Sequence, residues 1–136
     1  VVSSFNLDNV KHAALPCCHH QFQVIVNEGK LDLIFDMRST DVFLGLPFNI
    51  SSYGLLLHMI AKLTGYEVGC LIYHGKDVHI YSNHIEQVME LMSRDCYELP
   101  NLWLNPEKLN LEDYEVEDIK LEGYKSHKSI KAPVAV

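Results

Sequence analysis

The densest run of reactive side chains is Leu15-Pro16-Cys17-Cys18-His19-His20. A cysteine becomes a nucleophile when a nearby cation or hydrogen-bond donor stabilises its thiolate. His19 and the strand-end Arg38 are side chains of the right kind. The competing reading is that both cysteines are inert small apolar groups in a core. Zinc suits the run poorly. Neighbours in extended chain point opposite ways, so Cys-Cys-His-His does not converge on a tetrahedral ion, and no second Cys/His pair stands at a finger-like spacing. No metal is expected.

Three further constellations carry polar chemistry. Asp77, His79 and Tyr81 alternate, so on a strand a carboxylate, an imidazole and a phenol would line one face and suit a polar ligand such as a sugar. The plainer account is the solvated face of an edge strand. Arg38-Ser39 pairs a guanidinium with a hydroxyl, suited to a phosphate or carboxylate, or to a surface ion pair with Asp36 or Asp41. Asn49 stands beside the expected start of a helix, where such a residue usually caps the end; its amide could also read the edge of a base.

Positioning these groups falls to a series of short elements. Val1–Phe5 is β-rich, and Asn6–His12 is polar enough for a turn or short helix. Phe22–Val26 and Leu31–Arg38 read as strands joined at Asn27–Lys30, where Gly29 can take the positive φ of a tight hairpin. Leu31, Leu33, Phe35 and Met37 fall on one face of the second strand, with Asp32, Ile34, Asp36 and Arg38 on the other. After a loop over Ser39–Phe48, a helix is expected from Asn49 or Ile50 to Thr64, stopped by Gly65. Its apolar residues cover most of its circumference, which predicts burial on nearly all sides. Val68–Tyr73 and Val78–Tyr81 read as strands around a Gly75-Lys76-Asp77 turn, and His84–Ser93 as an amphipathic helix with Ile85, Val88, Met89 and Met92 on one side. Leu102–Leu104 and Ile119–Leu121 are candidate strands, and the tail Ile130–Val136 is apolar. The expected class is α+β, a mostly antiparallel sheet packed on a long buried helix.

Length and composition bound the function. The 136 residues suit one domain, and 48% apolar content supplies a core. A net charge of −7 speaks against a nucleic-acid or anionic-membrane surface. No stretch has the length of a membrane span or the pattern of a signal peptide. The four cysteines form no disulfide framework, so a reducing cytoplasmic setting is expected.

Taken in order, the motifs resemble thymidylate synthase. Leu15-Pro16-Cys17-Cys18-His19 followed by Gln23 resembles the family's nucleophile segment. Arg38-Ser39-Thr40-Asp41-Val42-Phe43-Leu44-Gly45-Leu46-Pro47-Phe48-Asn49-Ile50, Asp77–His84 and Ile130–Val136 read almost entirely as the family writes them. The similarity runs over essentially the whole chain, and the segments are long and specific.

The resemblance implies roles for particular residues. Cys18 would add to C6 of the uracil ring of dUMP. Arg38 and Ser39 would hold the phosphate, with Arg38 also near the thiolate. Asn49 would read the uracil edge, and His79 and Tyr81 would bind the ribose hydroxyl. His19 and Gln23 would lie near the substrate. Asp41 would be a catalytic acidic residue near the folate and the nucleotide, Gly45 would lie near the folate, and Ala135 and Val136 would form a mobile end closing over it. The co-substrate implied is 5,10-methylenetetrahydrofolate, the partners dUMP, reduced folate and a second copy in a homodimer.

The chain departs from the family pattern at Cys17, where most members place Pro, at Met37, usually polar, and at Lys76, usually Gly. By the resemblance, the 136 residues match the C-terminal half of the family. The N-terminal half, which supplies part of the folate site and the arginines lent to a partner's phosphate site, is expected in a longer protein or another chain. Two alternatives stand beside the synthase: a dUMP hydroxymethylase, since Asn49 favours uracil over cytosine, and a non-catalytic remnant or assembly subunit of the same fold.

Overall fold

A computed structural model describes every residue except Leu7, Asn9, Val10, Ala135 and Val136. The turn or helix expected over Asn6–His12 therefore lies partly outside the described residues, and the expected mobile end, Ala135 and Val136, wholly so. Where the length suits one domain, the chain divides into two compact units, Val1–Tyr81 and Ser82–Val136.

The first unit is built on a four-stranded sheet ordered β1-β2-β3-β5, from β1 (Val2–Ser3), β2 (His19–Asn27), β3 (Lys30–Met37) and β5 (Glu67–Gly75). β2 and β3 form the expected hairpin, and both turn residues, Glu28 and Gly29, have positive φ (50° and 81°), which gives a two-residue turn matching the twist of the strands. The expected alternation along β3 holds: Leu31, Leu33, Phe35 and Met37 are all buried. They meet Leu57 and Ala61 of the helix α1 (Leu46–Thr64) to form the core. Gly65 ends the helix with φ 76°, its N–H bonded to the last-turn carbonyls.

Three expectations are corrected. α1 begins at Leu46 with Gly45 as its N-cap residue and Pro47 in the first turn, so Asn49 stands inside the helix and is not its cap. The helix is not buried on nearly all sides: Leu57, Met59 and Ala61 are buried, while Phe48 and Ile50 are 76% and 43% exposed, because the sheet covers only one side of it. β5 does not turn back on the next strand. It pairs in parallel with β3, α1 serving as the crossover, and β6 (Val78–His79) pairs in parallel with β4 (Thr40–Asp41). The architecture is α+β as expected, with antiparallel β1-β2-β3 extended by a parallel strand.

The second unit holds a 3-10 turn at Ser82–His84, the helix α2 (Ile85–Met92) and the antiparallel pair β7 (Asn101–Leu104) and β8 (Ile119–Glu122). Its one fully buried side chain among the described residues is His84, whose Nε2 lies 2.7 Å from the Pro133 carbonyl oxygen. The apolar side expected on α2 is present but open, with Met89 and Met92 67% and 81% exposed: periodicity declares an apolar side without naming what covers it.

Candidate active site

Cys18, His19, Arg38 and Ser39 come together at the end of β3. The strand's last hydrogen bond runs from Arg38 N to the Cys18 carbonyl at 2.9 Å, setting the cysteine run beside the arginine. The Arg38 side chain then collars that run: Nε donates to the Cys17 carbonyl at 3.2 Å, and Nη2 to the Pro16 carbonyl at 2.6 Å and to Cys18 Sγ at 3.6 Å. A half-buried thiol thus stands against a guanidinium. Cys18 also touches the hydrocarbon core, yet its sulfur faces Arg38. The surface ion pair considered for Arg38 is not formed with Asp36, which is held instead by Lys76 at 2.9 Å and Gln21 at 3.1 Å. These two bonds, Lys76 first, keep the Asp36 carboxyl below its usual range.

His19 is brought to the same face by a β-bulge. It pairs with Met37 while Gln21 pairs with Asp36, so His20 is an extra residue in β2. Side chains alternate along a strand, and the extra residue flips the side on which His19 emerges. Its Nδ1 lies 3.1 Å from the Tyr53 hydroxyl on α1. Tyr53 stacks on Phe35 at 4.3 Å and meets Phe22 edge-on. Burial pushes the Tyr53 phenol above its ordinary value, and charge at Cys17 adds to the effect. Asn49 lies one helical turn before Tyr53, on the same side of α1. His19, Phe22, Asn49, Ser52, Tyr53 and Leu56 line an open pocket of ≈ 250 Å³.

The loop residues are ordered by hydrogen bonds of their own. Ser39 Oγ donates to Asp77 Oδ2 at 2.9 Å. Asp41 Oδ1 accepts from the N–H groups of Phe43 (3.0 Å) and Leu44 (3.2 Å), a turn that leads into α1. Gly45 closes the turn onto the Asp41 carbonyl at 3.1 Å, where a Cβ would stand only 3.0 Å from that oxygen. β4 and β6 are held by Thr40 N to Asp77 O (3.1 Å) and Val42 N to His79 O (3.0 Å). The His79 ring is fixed by its Nδ1 at 2.8 Å from the Asp77 carbonyl and meets the Tyr81 ring edge-on at 4.8 Å.

The alternation read for Asp77, His79 and Tyr81 is thus only partly a strand. β6 ends at His79 and Asp77 has φ 43°, but ring packing keeps His79 and Tyr81 together. Gln23 is not brought in. Its neighbours Phe22 and Val24 pair with the core residues Phe35 and Leu33, so Gln23, opposite Ile34, emerges on the other face of the sheet. Three positioning residues were missed by sequence reasoning: Tyr53, whose spacing from Asn49 was the available signal, and Thr40 and Tyr73, whose contact joins segments distant in sequence.

The sequence model of one family, thymidylate synthase, matches residues 1–136. The chain belongs to the thymidylate synthase family. It is 52% identical over 136 residues to the thymidylate synthase of Leuconostoc mesenteroides, a match covering 100% of this chain and 42% of that protein. The solved thermostable thymidylate synthase A from Bacillus subtilis superposes with a TM-score of 0.91 at 40% identity, covering 98% of this chain and 48% of that one. The chain therefore spans a little under half the length of these thymidylate synthases. Among the described residues no group of His, Cys, Asp and Glu could hold a metal ion, and no helix is long and apolar enough to cross a membrane.

Proposed function

We propose that this chain carries the nucleophile-bearing half of a thymidylate synthase, which converts dUMP to dTMP by reductive methylation. One observation carries the reading: Cys18 Sγ lies 3.6 Å from Arg38 Nη2, the strand-end guanidinium that also binds the Pro16 and Cys17 carbonyls. In this reading the Cys18 thiolate adds to C6 of the uracil ring and makes the neighbouring ring carbon nucleophilic. Methylenetetrahydrofolate supplies the one-carbon unit and, as hydride, the electrons that complete the methyl group. The Nη1 donors of Arg38 take no part in its three contacts and, with Ser39, would meet the phosphate. Asn49 offers donor and acceptor together to the uracil edge, with His19 beside it in the pocket. The His79–Tyr81 pair would take the ribose hydroxyl, and Asp41, Gly45, Ala135 and Val136 the folate side. Ordering two ligands and excluding water supplies much of the acceleration in such a site. The partners proposed are dUMP, reduced folate and a second copy in a homodimer, in the cytoplasm. The net charge of −7 supports a reading without nucleic acid or membrane.

The test is covalent trapping. Native protein incubated with fluorinated dUMP and methylenetetrahydrofolate should acquire both ligands as one adduct on Cys18, found by peptide mass. Cys18→Ser should form none while still binding nucleotide. Absence of any adduct in the native protein would favour a remnant, and an adduct on Cys17 would misplace the nucleophile. Release of dihydrofolate is expected; tetrahydrofolate would mark a hydroxymethylase.

A further inference from the structure

Cys17 has no part in the reading above, yet it is the covalent neighbour of the proposed nucleophile. Both thiols are free and half-buried. They are held apart by different partners: Cys17 Sγ donates to the His19 carbonyl at 3.2 Å, and Cys18 Sγ meets Arg38 Nη2 at 3.6 Å. The peptide group between them is itself held, through Arg38 Nε on the Cys17 carbonyl at 3.2 Å. No other thiol of this unit competes. Cys70 sits opposite Asp32, whose Oδ1 accepts its N–H at 2.6 Å, whereas Cys18 is bonded at Arg38. The run from Asp32 to Arg38 spans ~20 Å of strand, and a disulfide needs Cα atoms within about 7 Å.

We propose that Cys17 is a resolving thiol for Cys18, so that a hydroperoxide converts the pair reversibly to a vicinal disulfide and switches the site off. The inference rests on reading Cys18 as the thiolate nucleophile. In the first step the Cys18 sulfur attacks the peroxide: an S–O bond forms, the O–O bond breaks, an alcohol or water leaves, and Cys18 is oxidised to a sulfenic acid. In the second, Cys17 gives its proton to solvent and its sulfur attacks Cys18. The S–S bond forms and the S–O bond breaks, releasing hydroxide, which the proton neutralises. Two thiols and one hydroperoxide thus give a disulfide, an alcohol or water, and a further water. Closing a ring through one peptide group requires that group to turn, so the Cys17 carbonyl leaves Arg38 Nε and Cys18 Sγ leaves the guanidinium. A disulfide strained in this way is readily reduced by a dithiol, which restores both thiols.

The experiment treats reduced native protein with graded hydrogen peroxide, blocks remaining thiols, and weighs the peptide containing Cys17 and Cys18. Trapping by fluorinated dUMP and folate is read in parallel. The wild-type peptide should lose two hydrogens, and dithiothreitol should restore both its mass and the trapping. An adjacent thiol has a millimolar effective concentration and outruns dilute peroxide for the sulfenic acid, so Cys17→Ser should show roughly tenfold more sulfinic and sulfonic acid at Cys18. Equal over-oxidation in the two proteins would overturn the proposal, as would a disulfide from Cys18 to Cys70, Cys96 or another copy. Loss of trapping in fully reduced protein, with the internal disulfide still forming, would instead count against the synthase reading alone.

Discussion

Replacing Thr40 with valine probes how the loop bearing Ser39 and Asp41 is fixed. Thr40 is completely buried, and its Oγ1 accepts the Tyr73 hydroxyl proton at 2.7 Å. Gly75 makes that approach possible, since a Cβ there would stand 2.0 Å from the Tyr73 hydroxyl oxygen. Valine keeps the shape of threonine but removes the acceptor, leaving the half-buried hydroxyl of Tyr73 without its partner. Stranding such a group costs about 1–3 kcal/mol, whereas removing both partners with groups of the same shape is nearly neutral. Thr40→Val should therefore destabilise by about 1–3 kcal/mol and Tyr73→Phe by about 1 kcal/mol, while the double variant should cost little and so fall short of their sum by about 2–4 kcal/mol. Urea unfolding of the native protein and the three variants, compared at equal m-value, measures the cycle. In a Gly75→Ala background, where the hydroxyl is already displaced, Thr40→Val should cost little more. If the two single effects add within about 0.5 kcal/mol, the hydrogen bond does not hold this loop.

Three other outcomes follow from particular contacts. Tyr53→Phe keeps the stack on Phe35 and loses only the bond to His19, so stability should fall by about 1 kcal/mol, against about 3–5 kcal/mol for Tyr53→Ala; equal losses in denaturant melts would deny the hydroxyl any distinct part. Asn49→Asp should shift nucleotide preference from dUMP toward dCMP in competition binding, and unchanged discrimination would remove the edge-reading role. Asp118 is held at a pKa of about 2 by the Asn105 amide, then by the Glu115 N–H and Lys108. Its folded value lies below the ordinary 3.8, so its stabilisation of the second unit is complete above about pH 4 and is lost as pH falls toward 2. A carboxyl titration by NMR should show the low midpoint, and a midpoint near 3.8 would refute the pairing.

Local pattern carried much of this protein. Alternation over Leu31–Met37 named the four buried side chains of β3, because a strand's period of two depends on no distant partner. Gly29 and Gly65 marked a turn and a helix end, because glycine takes positive φ without steric cost. The motifs around Cys18, Arg38, Asn49 and His79 were likewise readable as residue types in order, and the family they imply is the one matched.

Which groups meet was decided only in three dimensions. The strand after α1 runs parallel to β3, and the spacing around Gly75-Lys76-Asp77 held no sign of it, since a crossover's direction is set by packing of the helix on the sheet. One extra residue in β2 turns His19 toward Tyr53 and leaves Gln23 on the opposite face, a choice no alternation rule makes without the register. The guanidinium of Arg38 reaches the Pro16, Cys17 and Cys18 positions because the end of β3 is hydrogen-bonded to the chain before β2. Residue types supplied the chemistry; long-range pairing placed one sulfur within reach of one cation.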